Sequence, residues 1–469
     1  MHGTWAIGGL DLYLDVPAAR PRRGLEDALR SAVVEGRLAP GTRLPATRAV
    51  AADLGIARNT VAQVYEQLAA EGWLTSRVGA GTWVAERRTA PPAAAPRTAP
   101  PVPPAQRDLR AGIPDAAAFP GRAWTAAVRR AVLDAPAGAL GYPDPRGVPA
   151  ARHALAGYLA RARGVRATPE HVVLARGFGG LLAVVCRVLA DAGTTRVAVE
   201  EYGHARHRDV IAAAGLEVVP LPVDRDGADV ARLPELAVGA VLLTPAHQFP
   251  TGVALAPERR QEVVRWAAAG GGLVLEDDYD GEFRFDRRAV GALQALAPEH
   301  VLYAGTASKA VGPGVGLAWG VAPGRLVGPL ARHTELLGGG PPAVDQLALA
   351  SFVTAHELDR SVRRLRQHYR VRRARVEALV AERLPGCAVG GLAAGLHCLV
   401  ELPPGTSEAA VVAAAARRDV RLEALSAFAA PGSGRGRRPA VVLGYGAPGP
   451  HVVDAALEAA TDAIAEVVG

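Results

Sequence analysis

The sequence predicts an α/β protein in two parts, a small helical module and a large one built on a mainly parallel sheet with helices on both faces. Three observations carry this expectation. Residues 86–107, ERRTAPPAAAPRTAPPVPPAQR, have a composition that cannot bury a core and favours extended polyproline, so they form a linker between residues 1–85 and 108–469. Its roughly 20 residues span on the order of 60 Å at about 3.1 Å each. Beyond it, short β-rich runs at 172–174, 197–199, 218–221, 240–243, 273–275 and 301–303 alternate with Ala-rich helical stretches, the pattern of βαβ units. From about Gln367 a long Arg-rich helix leads into a smaller α/β segment over about 370–469.

Composition narrows the function classes. A chain of 469 residues can bury a large core, and 49% hydrophobic against 21% charged residues excludes a disordered chain. No apolar run approaches the roughly 18 residues of a membrane-spanning helix, so no membrane partner is expected. The start, MHGTWAIGGLDLYLD, lacks a basic leader and an uninterrupted apolar segment, which places the protein in the cytoplasm. Cys186, Cys387 and Cys398 are odd in number and without CxxC spacing, so neither a disulfide framework nor a metal site is expected. The net charge of +7 is compatible with an anionic partner but does not by itself specify nucleic acid.

In the first part, Leu25, Ala28, Leu29, Ala32 and Val33 recur at helical spacing up to Gly36. A second short helix fits 47–54 with Thr47 as its N-cap. A third starts near Arg58, with Val61, Val64, Tyr65 and Leu68 on one face and Asn59, Gln63 and Gln67 on the other. Gly55 suits the tight turn of a helix-turn-helix, and WLTSRVGAGTWVA after Gly72 predicts two short strands about a glycine-bearing turn, a wing. Polar residues opening the third helix can reach base edges in a major groove. The words are more specific: GRLAPGTRLPATRAVAADLGIARNTVAQVYEQLAAEGWL at 36–74 resembles the GntR-type winged helix-turn-helix, a likeness that extends over nearly all of 20–85. It implies double-stranded operator DNA as a partner, with Arg43 and Arg48 on DNA backbone or bases, Arg58, Asn59 and Thr60 opening the recognition helix, and Gly79 and Gly81 shaping the wing tip. Ala57 stands where that family has Ser or Thr, which removes one phosphate contact. Charge across 37–77 is only slightly positive, so a dimer on two half-sites is expected.

In the second part, Lys309, in GTASK at 305–309, is the only lysine of the chain. An ε-amine can lose its proton in a pocket and condense with an aldehyde, which a guanidinium cannot do. A lysine left behind by an arginine-rich composition would look the same. The run LVLEDDYDGEFRF at 273–285 is a buried strand ending in consecutive acids and a tyrosine. An acid against a pyridine nitrogen keeps it protonated, the condition under which pyridoxal phosphate acts as an electron sink. Taken bare, the run fits equally a solvated acidic turn or a metal-binding loop; Lys309 about thirty residues later, after another strand, joins the two into one constellation.

On these residues the chain from roughly 108 to 469 resembles class I aminotransferases of fold type I, and the whole chain resembles a MocR-type, GabR-like transcriptional regulator. The resemblance implies pyridoxal 5'-phosphate as cofactor, held by Lys309 as a Schiff base, with Asp277 on the pyridine nitrogen, Tyr279 on the ring hydroxyl, and Thr306 and Ser308 on the phosphate. TPAHQFPTG at 244–252 matches the loop along the other edge of the ring, with His247 and Gln248 as contacts, and His204 stands where an aromatic stacks on the ring. GYPDPRG at 141–147 matches a segment whose tyrosine, Tyr142, reaches the phosphate of the partner subunit. A homodimer is implied, because fold type I sites are built from two subunits.

Three departures stand out. The family's phosphate-binding arginine seven residues after the lysine is Gly316, and the Ser-Gly pair opening the phosphate-binding helix is Arg176 and Gly177. Arg176 is expected to supply, at that helix N-terminus, the charge missing at 316. The arginine that clamps a substrate carboxylate is Val442, within AVVLGYG at 440–446, while Arg435, Arg437 and Arg438 are expected to be solvated in a Gly-rich loop. Efficient transamination of ordinary α-amino acids is therefore not expected. The leading expectation is a dimeric, pyridoxal phosphate-dependent regulator that senses the cofactor or an amine. A working aminotransferase with an attached DNA-binding domain, and a regulator whose pocket has lost the cofactor, are the other two possibilities.

Overall fold

The computed structural model describes residues 2–7, 10–16, 20–77, 80–86, 107–270, 272–285, 290–433 and 437–469. The chain divides into two units, Met1–Val102 and Pro103–Gly469. Most of the expected linker, 87–106, lies outside the described residues, as do Gly79 and Arg435.

The first unit opens with an antiparallel hairpin, β1 (His2–Ile7) and β2 (Leu10–Asp15). It continues through α1 (Pro21–Val34), β3 (Arg43–Leu44), α2 (Thr47–Leu54), α3 (Arg58–Ala70), β4 (Leu74–Arg77) and β5 (Gly81–Val84), the three short strands pairing in the order β3-β5-β4. Proline at the start of α1 occupies a position whose amide would have no helical partner. The apolar stripes of the three helices meet in one core of Leu25, Leu29, Val50, Leu54, Val61, Val64 and Leu68. Gly55 ends α2 at φ 64°, a left-handed turn that costs glycine little. Thr47 is the first helical residue rather than the cap; Ala46 holds the cap position, without a side-chain bond. Arg30 of α1 reaches Glu71 after α3 with two bonds of 2.9 and 2.8 Å.

The second unit is built on β6 (Val172–Arg176), α4 (Gly177–Asp191), β7 (Arg196–Glu200), α5 (Ala205–Ala213), β8 (Glu217–Leu221), β9 (Ala240–Leu243), α6 (Pro257–Gly270), β10 (Leu273–Asp277), β11 (Val301–Thr306) and β12 (Leu317–Val321). The sheet order is β6-β12-β11-β10-β9-β7-β8, with β12 antiparallel to both neighbours and the other pairs parallel. Residues alternate between two cores: Leu273 and Leu275 pack in one, and Val274 packs in the other. That two-sided burial is why these strands read as unbroken apolar runs. A long helix α7 (Glu357–Arg383) then leads to a small antiparallel sheet of β13 (Ala388–Gly390), β14 (His397–Glu401), β15 (Glu423–Ala424) and β16 (Ala440–Gly444), ordered β13-β14-β16-β15. The helix starts at Glu357, ahead of the expected Gln367, because Leu358, Val362, Leu365 and Tyr369 form a buried stripe beneath its arginines. Among the described residues no helix is long and apolar enough to cross a membrane.

Behind the end of β10 lies a buried ion pair. Arg163 donates from Nε and Nη2 to Asp278 at 2.6 and 3.0 Å, and the Tyr303 hydroxyl donates to the same carboxylate at 2.8 Å. The two charged side chains are 4% and 1% exposed. A Cβ on Gly281 would sit 2.0 Å from Asp278 Oδ1, so glycine is needed for the pair to form. Arg163→Met leaves the Asp278 charge buried without its cation, and urea unfolding of the variant is expected to show a loss of about 3–5 kcal/mol.

Candidate functional site

The parallel strands end at one edge of the large sheet, where crevices form outside their carboxyl ends. The segments leaving β7, β10 and β11 enclose a cavity of about 160 Å³ there. Among the expected site residues it is lined by His204, Asp277, Tyr279, Thr306, Ser308 and Lys309. Strand register explains the grouping: Asp277 and Thr306 close their adjacent strands, and Lys309 follows within the turn after β11.

Lys309 donates to the Gly112 carbonyl. Burial holds its ammonium below the ordinary lysine value, with Asp280 and Asp277 pulling the other way. Asp277 is buried, and its Oδ1 has no hydrogen-bond partner among the described residues. Burial, then the adjacent Asp278, pushes its carboxyl well above the usual range, while Lys309 opposes them. A buried acceptor left without a donor costs about 1–3 kcal/mol, so this cavity wall favours a ligand that brings an N–H. Thr306 and Ser308 share a 2.9 Å hydroxyl contact, and the Ser308 amide donates to Thr306 Oγ1 at 3.1 Å. His204 stacks on Phe249 with centroids 4.0 Å apart and planes at 17°. Burial, with Lys309 and Arg208 nearby, lowers its pKa to about 4, so the ring is a neutral face at physiological pH.

Other expected residues stand elsewhere. Arg176 precedes α4, its Nε donates to the Gly340 carbonyl at 3.1 Å, and it is not among the residues that line the cavity. Gly177 opens α4 at φ 70°, where the chain turns from strand to helix. Gln248 ties its loop to the segment after β7: its amide nitrogen donates to Tyr202 O and Phe249 O at 2.9 and 2.6 Å, and its oxygen accepts from Thr251. His247 sits behind Tyr279, with Nδ1 at 3.1 Å from the phenol oxygen and 2.8 Å from Asp280 Oδ2. Tyr142 is fully exposed. Val442 is buried in β16, and Arg437 lies over the Tyr202 ring at 5.0 Å, half-buried rather than solvated.

Glu200 was not anticipated. It ends β7, lines the cavity and accepts from Thr244 N at 3.2 Å, from the Thr244 hydroxyl and from Gln248 Nε2 at 3.2 Å. Its only sequence signal is a glutamate pair closing an apolar run. Burial raises its pKa from 4.5 to about 7, against the hydrogen bonds from Thr244 and Gln248. The folded state therefore binds this proton more tightly than the unfolded chain, a stabilisation present below about pH 4.5 and lost as pH rises through about 7. Glu200→Gln cannot ionise, so relative to the parent it should gain about 3 kcal/mol in unfolding free energy between those limits, measured by urea unfolding across pH.

In the first unit Arg43, Arg48, Arg58 and Asn59 are exposed and Thr60 is partly so, on α2, α3 and the strand beside the wing. Arg43 and Arg77 flank the Trp83 ring at 5.7 and 5.8 Å, and Arg43 Nη2 donates to Ala80 O at 2.8 Å. Gly81 has φ 128°, and a Cβ there would lie 3.0 Å from Arg43 Nε. The arrangement is a cationic wing beside a helix with a polar opening turn.

Comparison with known proteins agrees with both units. Residues 108–437 match the family aminotransferase class I and II, and residues 21–84 match bacterial regulatory proteins of the gntR family. The chain is 32% identical to the HTH-type pyridoxine biosynthesis transcriptional regulator PdxR of Corynebacterium glutamicum, covering 90% of this chain and 91% of that one. It is 33% identical to the probable rhizopine catabolism regulatory protein MocR of Rhizobium meliloti, covering 80% and 79%. The fold is shared with an archaeal alanine:glyoxylate aminotransferase at a TM-score of 0.68 and 23% identity, covering 76% of this chain and 90% of that one. It is shared also with Pyrococcus horikoshii kynurenine aminotransferase at 0.69 and 21%, covering 77% and 91%. The chain belongs to the MocR-type transcriptional regulators, in which a GntR-family winged helix-turn-helix is joined to a class I aminotransferase domain of fold type I.

Proposed function

We propose that this regulator binds pyridoxal phosphate covalently through Lys309 and senses either the cofactor itself or an amine that competes for it. The observation that carries the proposal is the meeting, in one cavity, of the chain's single lysine and Asp277, whose buried Oδ1 has no partner among the described residues. The residues present fit the group. Asp277 would take the pyridine N–H, Tyr279 the ring hydroxyl, His204 one ring face, and Thr306, Ser308 and the free amides opening α4 the phosphate. When bound, pyridoxal phosphate supplies an aldehyde for an amine and a ring that withdraws electrons.

The chain's own residues then do the following. Burial raises the fraction of Lys309 that is an uncharged, nucleophilic amine, and Gly112 O holds that amine in place. Phe178 and Phe249 give the cavity part of its apolar wall. Arg208 is the one guanidinium among the lining residues, and it already donates to the carbonyls of Gly203, Phe428 and Ala429. With Val442 in the clamp position, no bidentate carboxylate fork is offered, which favours sensing over turnover. A pyridoxine-related effector is consistent with the name borne by PdxR. The protein works as a homodimer in the cytoplasm: Tyr142 and the exposed apolar side chains of Leu133, Leu140, Leu336 and Leu337 suit cover by a second copy. Ligand binding that favours one arrangement of the dimer would shift operator occupancy.

Titration of the purified protein with pyridoxal phosphate is expected to develop the visible absorbance of a lysine-linked cofactor, and Lys309→Ala to abolish it. A parent protein without that band sinks the proposal, and rapid turnover of amino donors with keto acids would favour the aminotransferase. On operator DNA, Arg48→Ala should weaken binding and reduce the slope of log affinity against log salt by about 1. An unchanged slope would remove Arg48 from the phosphate contacts.

A further inference from the structure

The arginine-rich helix α7 has no part in the cavity, and its charge is unevenly matched. Between Asp359 and Glu377 it carries eight arginines and no acid. Four of them have carboxylate partners: Arg360 with Glu357 at 2.5 Å, Arg372 with Asp115 at 3.0 Å, and Arg373 with Glu377 and Arg375 with Glu458, both at 2.8 Å. The other four, Arg363, Arg364, Arg366 and Arg370, are exposed and take part in no ion pair among the described residues. Arg364 donates to Ala118 O at 2.8 Å and Arg366 to Glu282 O at 2.9 and 2.6 Å, carbonyl contacts that leave a full positive charge on each guanidinium.

Helical spacing sets Arg363, Arg366 and Arg370 in one row at i, i+3 and i+7, about 10 Å long at about 1.5 Å per residue. Beside it runs a groove of about 390 Å³, to which Arg161 and Arg284 contribute, with Asp359 and Glu282 as its acids. Both acids are engaged: Asp359 holds Arg161 at 3.0 Å, and Glu282 accepts the Tyr158 hydroxyl at 2.7 Å and faces Arg163 and Arg366. We propose that this face of α7 is a second DNA-contacting surface, which grips duplex phosphates in addition to those met by the winged helix-turn-helix. A row this long exceeds what one phosphate needs and suits a polyanion, since duplex DNA carries a charge every 1.7 Å or so along its axis. Guanidinium is also the side chain whose planar fork matches a phosphate. DNA engaged by the first unit is held at high local concentration about the second, so contacts too weak to act alone still add to affinity. They fall on phosphates and carry no sequence preference. The inference is independent of what the cavity binds.

The test uses the full-length protein and a labelled duplex of arbitrary sequence, about 60 base pairs long, on which phosphate contacts dominate binding. Affinity is measured from about 50 to about 200 mM salt, where each phosphate contact adds about 0.9 to the slope of log affinity against log salt. Arg363→Ala, Arg366→Ala and Arg370→Ala made together should reduce that slope by about 2 to 3, whereas lysine at the same three positions should keep it, because charge is what acts. If the triple variant does not accumulate as folded protein, Arg363→Ala with Arg370→Ala leaves the Glu282 contact intact and should reduce the slope by about 2. Alanine variants with the parent's slope overturn the inference, and a loss of regulation in such variants would assign the face to an acidic protein instead. A slope that falls equally with lysine overturns it too, since packing rather than charge would then be the cause. Uptake of pyridoxal phosphate should match the parent throughout, so failure of the cofactor reading leaves this test untouched.

Discussion

Charge removed from water at the end of a parallel sheet must find a partner, and in this protein that requirement organises the large unit. Four carboxyls fall within the five residues 276–280, and three have separate protein partners. Glu276 accepts the amides of Leu293 and Gln294 at 2.7 and 2.9 Å, Asp278 takes Arg163, and Asp280 takes His247. Asp277 alone keeps a buried oxygen without a donor among the described residues. Each paired acid fixes a different element around β10: a helical turn at 293–296, the helix ending at Arg163, and the loop holding His247. The open acid marks where a ligand completes the network. Breaking any pair would leave a charge buried, a larger penalty than any surface ion pair returns.

The same run shows how far sequence reaches. EDDYD announced chemistry, and Lys309 gave it a reaction type, because acids and a lone amine are rare at the ends of apolar strands. The resemblance pointed to Asp277 as the open acid, but the residues alone could not single it out, since that depends on Arg163 and His247, which lie 115 and 33 residues away in sequence from their partners. Strand β12 was missed for a related reason: LAWGV is short, apolar throughout and follows a turn within the segment assigned to the lysine, so only its pairing with β6 and β11 defines it. Glu200 was invisible because a glutamate closing a strand is ordinarily solvated. The apolar stripes of α1 and α3 were legible because each is a periodic run within its own helix, whatever it packs against in the shared core.

Arg176 and Gln248 teach the complementary point. Motif matching placed Gln248 on the cofactor and a departure from the motif suggested Arg176, and both have acceptors or donors that the motif does not contain. Arg176 finds a carbonyl at Gly340, and Gln248 closes its own loop around Thr251 and Glu200. Donors near a cavity are available to a ligand only when the fold has not already satisfied them.

That principle also distinguishes a sensor from a catalyst on the same scaffold. An aminotransferase must bind its transition state more tightly than its substrate, which demands a carboxylate clamp held in fixed register with the amine. Here the guanidinium lining the cavity donates to three carbonyls, and Val442, where the resemblance implies the clamp, is buried. A regulator has a weaker requirement, since it need only bind its ligand more tightly in one protein conformation than in another. A buried amine beside an acid whose oxygen lacks a donor among the described residues is the kind of site such a requirement calls for, since a ligand that supplies the donor gains most where both groups are buried.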